Sequence, residues 1–284
     1  MAEKKKKDEN KEPGFFERKM KSIIKMDDYG ELLREDIFRF IRQYDNIDAA
    51  LDVGCGFGTT NRYLKAMGCK KVYGIDIRDS HLKIAEKYSD EIFNCDVEKM
   101  DIPFAKKSLD YINFGDVLEH LYNPLLILQK FRETLKDDGF ITVSLPNIRH
   151  FTLIIRLILG RWEYRPIGLL DETHIRFFTA REMINMFRKA GFEVVNARAT
   201  LFEGAMKQVF KMVFRGFPDE EKIARKKQRL ERHKDKPLRY KKSPAIFLWP
   251  RLMLYRLIGF HAYQYVWVLK KSDNYNPEEE KKEA

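Results

Sequence analysis

The chain has 284 residues, enough for one large domain or one domain with an elaborated insertion. Its 44% hydrophobic content supports a sizeable core, yet no uninterrupted apolar stretch approaches the ~20 residues that span a bilayer. Three scattered cysteines, Cys55, Cys69 and Cys95, form no C-x-x-C pair, which argues against a structural zinc and for a reducing compartment. The net charge of +11 is unevenly placed. Residues 45–150 hold 14 Lys/Arg against 17 Asp/Glu, whereas residues 201–271 hold 18 against 6. That asymmetry points to an anionic surface met by the later segment.

Residues 1–20 read as a charged, disordered tail, with Lys4 to Lys7 in a row and no apolar h-region after them, so a cleaved signal is not expected. Between Asp28 and Tyr44, apolar residues recur at helical spacing. Strand and helix then alternate. Strands are predicted at 49–53, 72–77, 91–94, 109–114 and 140–145, and helices at 61–67, 80–88, 125–135 and 151–159. Thr179 caps a helix ending at Lys189 before Gly191, a strand follows at 192–197, and a final strand runs from Ala262 to Leu269. Such alternation predicts a Rossmann-like α/β core over residues 21–201. Its sheet would be mostly parallel, with helices on both faces and ligands at the carboxyl ends of the strands. Residues 262–271 would return as the last strand, and 272–284 would be a second charged, disordered tail.

Leu51 to Gly58 is the stretch richest in chemical meaning. An apolar strand carrying Asp52 breaks into Gly54, Cys55, Gly56 and Gly58, and a helix follows. Glycine belongs where backbone bends sharply and a ligand approaches without a Cβ in the way. A dinucleotide fingerprint counted from Gly54 would place glycine where Thr59 stands. The Asp-x-Gly-x-Gly-x-Gly order instead resembles motif I of the class I S-adenosylmethionine (SAM)-dependent methyltransferases. That resemblance implies SAM as cofactor and a seven-stranded sheet whose last two strands form an antiparallel hairpin. It assigns Asp76, followed by Ile77, to the ribose hydroxyls, and Asp96 with Val97 to the adenine. Asp116 and Val117, in the Phe114–His120 segment, would lie at the methionine side where the substrate pocket begins.

An Asn/Asp-Pro-Pro-aromatic sequence, frequent in methyltransferases acting on amide or base nitrogens, is missing at that segment, which lowers the weight of a nucleobase target. Asp116, Glu119 and His120 resemble the E-x-x-E-H set with which some O-methyltransferases hold a divalent ion. The first acid is shortened here, and the preferred reading has no metal: Glu119 hydrogen-bonds the loop and His120 lines the pocket. Further blocks, Leu145-Pro146-Asn147, Gly160 to Tyr164, Leu170 to Thr179 and the closing Phe260 to Val268, resemble methyltransferases of polysaccharide and cell-surface glycan biosynthesis. The resemblance implies O-methylation of a hydroxyl on a glycan or lipid-linked sugar. A sugar hydroxyl gains from a base near neutral pKa, so His174, His120 and His150 are the candidates. His174 is favoured because Asp171 and Thr173 beside it could orient the ring.

Residues 202–261 separate the last two strands and form a basic insertion too long for a plain loop. Lys207, Lys211 and Arg215 make a cationic stripe opposite Met206, Val209, Phe210, Val213 and Phe217. Amphipathic segments of this kind suit an anionic membrane interface, and a lid packed on the domain is the competing reading. The expected location is therefore the cytoplasm, with residues 205–261 as a peripheral contact to the inner membrane face. Nucleic acid ranks lower, since the 222–242 run offers only Tyr240 and His233 for stacking. The alternatives are a quinone-like or other small lipophilic acceptor, a nucleic-acid or protein methyltransferase using the basic segment, and a SAM- or membrane-binding scaffold without turnover.

Overall fold

A computed structural model describes residues 34–44, 46–166, 168–201, 246–247, 262–273 and 275. Its elements, in chain order, are α1 (Glu35–Ile41), β1 (Ala49–Val53), α2 (Thr59–Met67), β2 (Lys71–Asp76), α3 (Asp79–Ala85) and β3 (Glu91–Asn94). They continue with β4 (Leu109–Gly115), α4 (Pro124–Thr134), β5 (Leu135–Pro146), α5 (Phe151–Ile158), α6 (Ala180–Lys189), β6 (Phe192–Leu201), β7 (Ile246–Phe247) and β8 (Ala262–Lys271).

The sheet order is β3-β2-β1-β4-β5-β8-β6-β7. Strands β1 to β5 pair in parallel, and β8 runs antiparallel to both β5 and β6. The expected terminal hairpin is thus present, with β8 inserted between β5 and β6. The two-residue β7 adds an eighth strand outside the predicted seven, antiparallel to β6.

Both faces of the sheet are covered. On one, Trp267, Tyr265 and Leu269 of β8 join Phe114, Phe131, Met183 and Phe187. On the other, Val266 and Val268 join Phe38, Tyr63 and Tyr111 beneath α1 and α2. The strict alternation along β8 therefore buries both of its faces, as an inner strand requires.

Several boundaries move for local reasons. Helix α2 starts at Thr59 rather than Asn61, because Gly58 at φ +81° is its N-cap. Pro124 opens α4 as its first residue, with Asn123 Oδ1 accepting from the Leu126 amide at 3.1 Å. The predicted 80–88 helix tightens into a 3₁₀ turn after Ala85, and β5 begins at Leu135 rather than Phe140. The tail expected from 272 stays docked at first: Ser272 donates to the Gly191 carbonyl and Arg132 lies 4.7 Å over the Tyr275 ring. The first tail, the basic insertion apart from 246–247, and residues 276–284 lie outside the described residues.

Candidate active site

The glycine turn between β1 and α2 is stapled to the end of β2. The Gly54 and Cys55 amides both donate to the Ile75 carbonyl, at 2.7 and 2.9 Å. The Gly56 amide donates to Asp76 Oδ2 at 2.9 Å, and Asp76 Oδ1 accepts from the Arg78 amide at 2.9 Å. Asp76 is buried and holds the turn in place. All three glycines have positive φ, +70°, +52° and +81°. A Cβ on Gly54 would lie 2.4 Å from Val117 Cγ2, and one on Gly58 would lie 2.9 Å from Ala85 Cα. Two of the three are therefore demanded by neighbouring protein as well as by backbone angle. Cys55 packs inward with Leu82 and Ala85.

Asp52 is the origin of a polar ladder that crosses the buried sheet. Asn113 Nδ2 donates to Asp52 Oδ1 at 2.6 Å, and the Thr142 hydroxyl donates to Asn113 Oδ1 at 2.7 Å. The Tyr111 and Thr142 hydroxyls meet at 2.5 Å. Aligned register makes this possible, because Asp52 pairs with Asn113 and Asn113 with Thr142 on adjacent strands. At the end of β3, Asp96 accepts from Lys99 at 2.8 Å and from the Glu98 amide at 3.0 Å. Those two bonds hold its carboxyl below the usual range. Val97 is buried beside it, while Ile77, following Asp76, is 64% exposed.

Asp116 begins the β4–α4 connection at φ +58°, a conformation rarely adopted by a residue with a side chain. Its carboxylate accepts from Arg34 Nη1 at 2.5 Å, from the Ser144 hydroxyl at 2.6 Å and from Gln264 Nε2. Arg34 also forks onto Asp36 at 3.1 Å. Burial works against the guanidinium charge, but Asp116 and Asp36 outweigh it and raise its pKa overall. Arg34, Ser144 and Gln264 thus converge on one carboxylate, while Glu119 and His120 have their own partners. The D-x-x-E-H spacing does not act as one unit. Arg34, Ser144 and Gln264 escaped the sequence reading, though Ser144 and Gln264 are polar residues inside otherwise apolar strands, a usable signal.

The three-dimensional neighbour of Glu119 and His120 is His174. Residues 171–178 fold onto the β4–α4 connection: the Ile175 and Arg176 amides both donate to the Glu119 carbonyl at 3.0 Å, and Arg176 Nη2 donates to the Tyr122 carbonyl at 2.5 Å. The His120 and His174 rings then meet edge to face, 4.8 Å apart. His120 Nδ1 lies 3.0 Å from the Thr173 carbonyl, so that nitrogen is the donor of the pair. The His174 side chain is only 8% exposed, with Nδ1 3.4 Å from the Leu169 carbonyl and Nε2 3.9 Å from Glu119 Oε1. Burial, then His120, lowers the His174 pKa. Burial, then Asp116, pushes the Glu119 carboxyl well above its usual range. Among the described residues, Glu119 Oε2 has no hydrogen-bond partner.

Two expectations change. Asp171 does not orient the His174 ring: its Oδ1 is bound by the Thr173 amide and hydroxyl at 2.9 and 2.6 Å. His150 is buried, with Nδ1 2.7 Å from the Thr152 hydroxyl, and packs against Phe151 and Tyr263. It serves the start of α5 rather than an open pocket. The donor atoms of Glu119, His120 and His174 lie within 4.8 Å of one another, a carboxylate–imidazole set compatible with a divalent ion.

A methyltransferase domain family matches residues 28–197. The protein MJ1123 of Methanocaldococcus jannaschii is 25% identical over 189 residues, 66% of this chain and 85% of that protein. A ubiquinone biosynthesis O-methyltransferase of Cereibacter sphaeroides is 27% identical over 158 residues, 54% of this chain and 63% of its own length. Among solved structures, a SAM dependent methyltransferase from Archaeoglobus fulgidus aligns with TM-score 0.54 at 19% identity, over 84% of this chain and 92% of that one. At that identity the likeness is one of fold. The cofactor of this fold is SAM, and the buried Asp76 at the carboxyl end of β2, the close-packed glycine turn and the open apolar surface of Ile77 fit an amino-acid nucleoside. The chain belongs to the methyltransferase domain family and is built as a class I SAM-dependent methyltransferase.

Proposed function

We propose that the chain is an O-methyltransferase whose acceptor is a hydroxyl of a glycan or lipid-linked sugar, with His120 taking the hydroxyl proton. Bound SAM supplies an activated methyl on a good leaving group, so positioning does much of the work. The observation that carries the reading is the geometry of the histidine pair. His174 has both ring nitrogens turned toward protein atoms, whereas His120 is fixed through Nδ1 by Thr173 and, when neutral, offers Nε2 as an acceptor. An alcohol becomes a better nucleophile as such a base draws off its proton. His174 and Glu119 then act from behind, setting the position of the His120 ring.

Tyr122, exposed beside the anchor of the 171–178 loop, supports a sugar-ring acceptor. A quinone-like acceptor is the second reading, favoured by the ubiquinone biosynthesis relative. The basic segment 205–261 belongs to the same proposal as a contact to an anionic membrane, where lipid-linked acceptors reside. Nucleic acid is not part of it.

Transfer of radiolabelled methyl from SAM into fractionated lipid, glycan, RNA and protein pools tests the acceptor class. Label is expected in the lipid-linked glycan fraction, and label confined to RNA or protein would remove the reading. His120→Ala should lower kcat by roughly 10²- to 10⁴-fold with SAM affinity unchanged. His174→Ala should cost less, and the reverse ranking would return the base to His174.

A further inference from the structure

The last turn of helix α5 turns its charge inward and its aliphatic side chains outward. Its sequence, FTLIIRLI, has one charged residue, Arg156, and that side chain is buried and donates to Glu163 Oε2 at 3.0 Å. Burial, then Arg165, lowers the Arg156 pKa, so the protein meets a real cost in keeping this charge inward. Phe151 and Leu153 pack inward at its start, and the aliphatic residues of its end face out. Leu157 and Leu159 are each more than half exposed and Ile158 is 78% exposed. The Arg161 amide bonds back to the Arg156 carbonyl, folding the following loop alongside the helix end. That loop adds Tyr164, also more than half exposed, and Trp162, whose edge rests on Phe177.

Ordinary solvent-facing helices place charge outward, and a monomer seldom leaves so many large apolar side chains open in eight residues. We infer that residues 157–164 form a lipid-contact patch that dips into the interface of an anionic bilayer beside the acceptor site. The composition suits that occupant. Aliphatic tips enter the acyl boundary, Trp162 and Tyr164 have the ring chemistry of the headgroup level, and Arg161 is exposed at the edge of the patch with Arg165 next to Tyr164. Placement agrees as well. Helix α5 leaves the carboxyl end of β5, the edge at which Leu201 pairs with Ala262 and the strongly basic 202–261 segment departs and returns. An apolar patch beside the two points where a cationic segment leaves and rejoins the sheet supplies the two signals that stable membrane association requires.

The inference extends the membrane part of the proposed function, but it stands on residues outside the basic segment and can fail alone. The test uses the full chain and vesicles of phosphatidylcholine with and without phosphatidylglycerol. Ile158→Asp and Leu157→Asp should each lower vesicle binding by roughly ten- to a hundredfold. Because both side chains are exposed, thermal stability and calorimetric binding of S-adenosylhomocysteine should not change. In a Trp249→Phe background, Trp162 emission should be quenched by brominated lipid while the buried Trp267 is not. Wild-type vesicle binding by both Asp variants would overturn the inference, as would an unquenched Trp162. A dimer that Ile158→Asp dissociates, without wild-type vesicle binding, would also overturn it and assign the patch to a second copy. If instead only charge reversal in residues 222–242 abolished binding, the patch would fall and the membrane reading would survive.

Discussion

Replacing Gly54 with alanine separates two reasons for a glycine in the cofactor turn. At φ +70°, an alanine pays roughly 1–2 kcal/mol for the left-handed backbone. Its Cβ would also sit 2.4 Å from Val117 Cγ2, more than 1 Å inside normal carbon contact, an overlap of the kind that costs about 1–3 kcal/mol. The single variant should therefore lose about 2–5 kcal/mol. Val117→Ala removes the offending methyl from a half-buried site and should itself cost about 1 kcal/mol. In the double variant the overlap is gone and only the backbone and truncation costs persist. It should then be more stable than the sum of the singles by about 1–3 kcal/mol, the overlap cost. Urea denaturation of the four proteins measures this coupling, and calorimetry with S-adenosylhomocysteine measures the consequence. Val117 follows Asp116 into the β4–α4 connection, so pushing it aside should weaken ligand binding at least about tenfold in Gly54→Ala, with partial recovery in the double variant. Additive stabilities would show that Gly54 serves the backbone angle alone and that the contact with Val117 carries no weight.

Asp76→Ala should weaken S-adenosylhomocysteine at least about tenfold, because it deletes both a ligand acceptor and the anchor of the Gly56 amide; unchanged calorimetric affinity would contradict that role. Asn113→Ala should destabilise by about 2–4 kcal/mol, since it strips Asp52 and Thr142 of their shared partner deep in the sheet, and a shift in urea midpoint within error would argue against the ladder. Glu119 gives a pH signature. Its carboxyl binds a proton more tightly folded than unfolded, so its stabilising effect is complete below the unfolded value of about 4.3 and fades as pH rises toward the raised native value. Glu119→Gln has no proton to lose, so its urea midpoint should gain on the wild type from pH 4 to 8, and parallel profiles would refute the assignment.

Much of the fold is legible in the chain because its signals are local. The apolar run at 49–53 and the short segment 91–94 become strands with those bounds, since a short stretch flanked by turn residues has few alternatives. Thr179 accepts from the Glu182 amide as its position before an apolar-periodic run implies. The three glycines announce the cofactor turn, because few other residues tolerate its backbone angles. What stayed hidden depends on partners far apart in sequence. Asp52 reads as one motif residue, and only the register of three strands reveals that it starts a ladder ending at Tyr111. Asp116 and Glu119 are three residues apart, yet a positive φ and Arg34, 82 residues upstream, draw them to different neighbours. His174 reaches His120 only because two amides of its loop find the Glu119 carbonyl. Helix α5 shows the same division. Its sequence says apolar, and tertiary packing alone decides that Arg156 turns in while Leu157, Ile158 and Leu159 turn out. Periodicity and steric permission, both local, set which segments become strands and helices and where the backbone must turn on glycine. The meeting of His120 with His174 and Glu119 was left to tertiary structure, because it rests on hydrogen bonds that exist only once distant segments share one edge of the sheet.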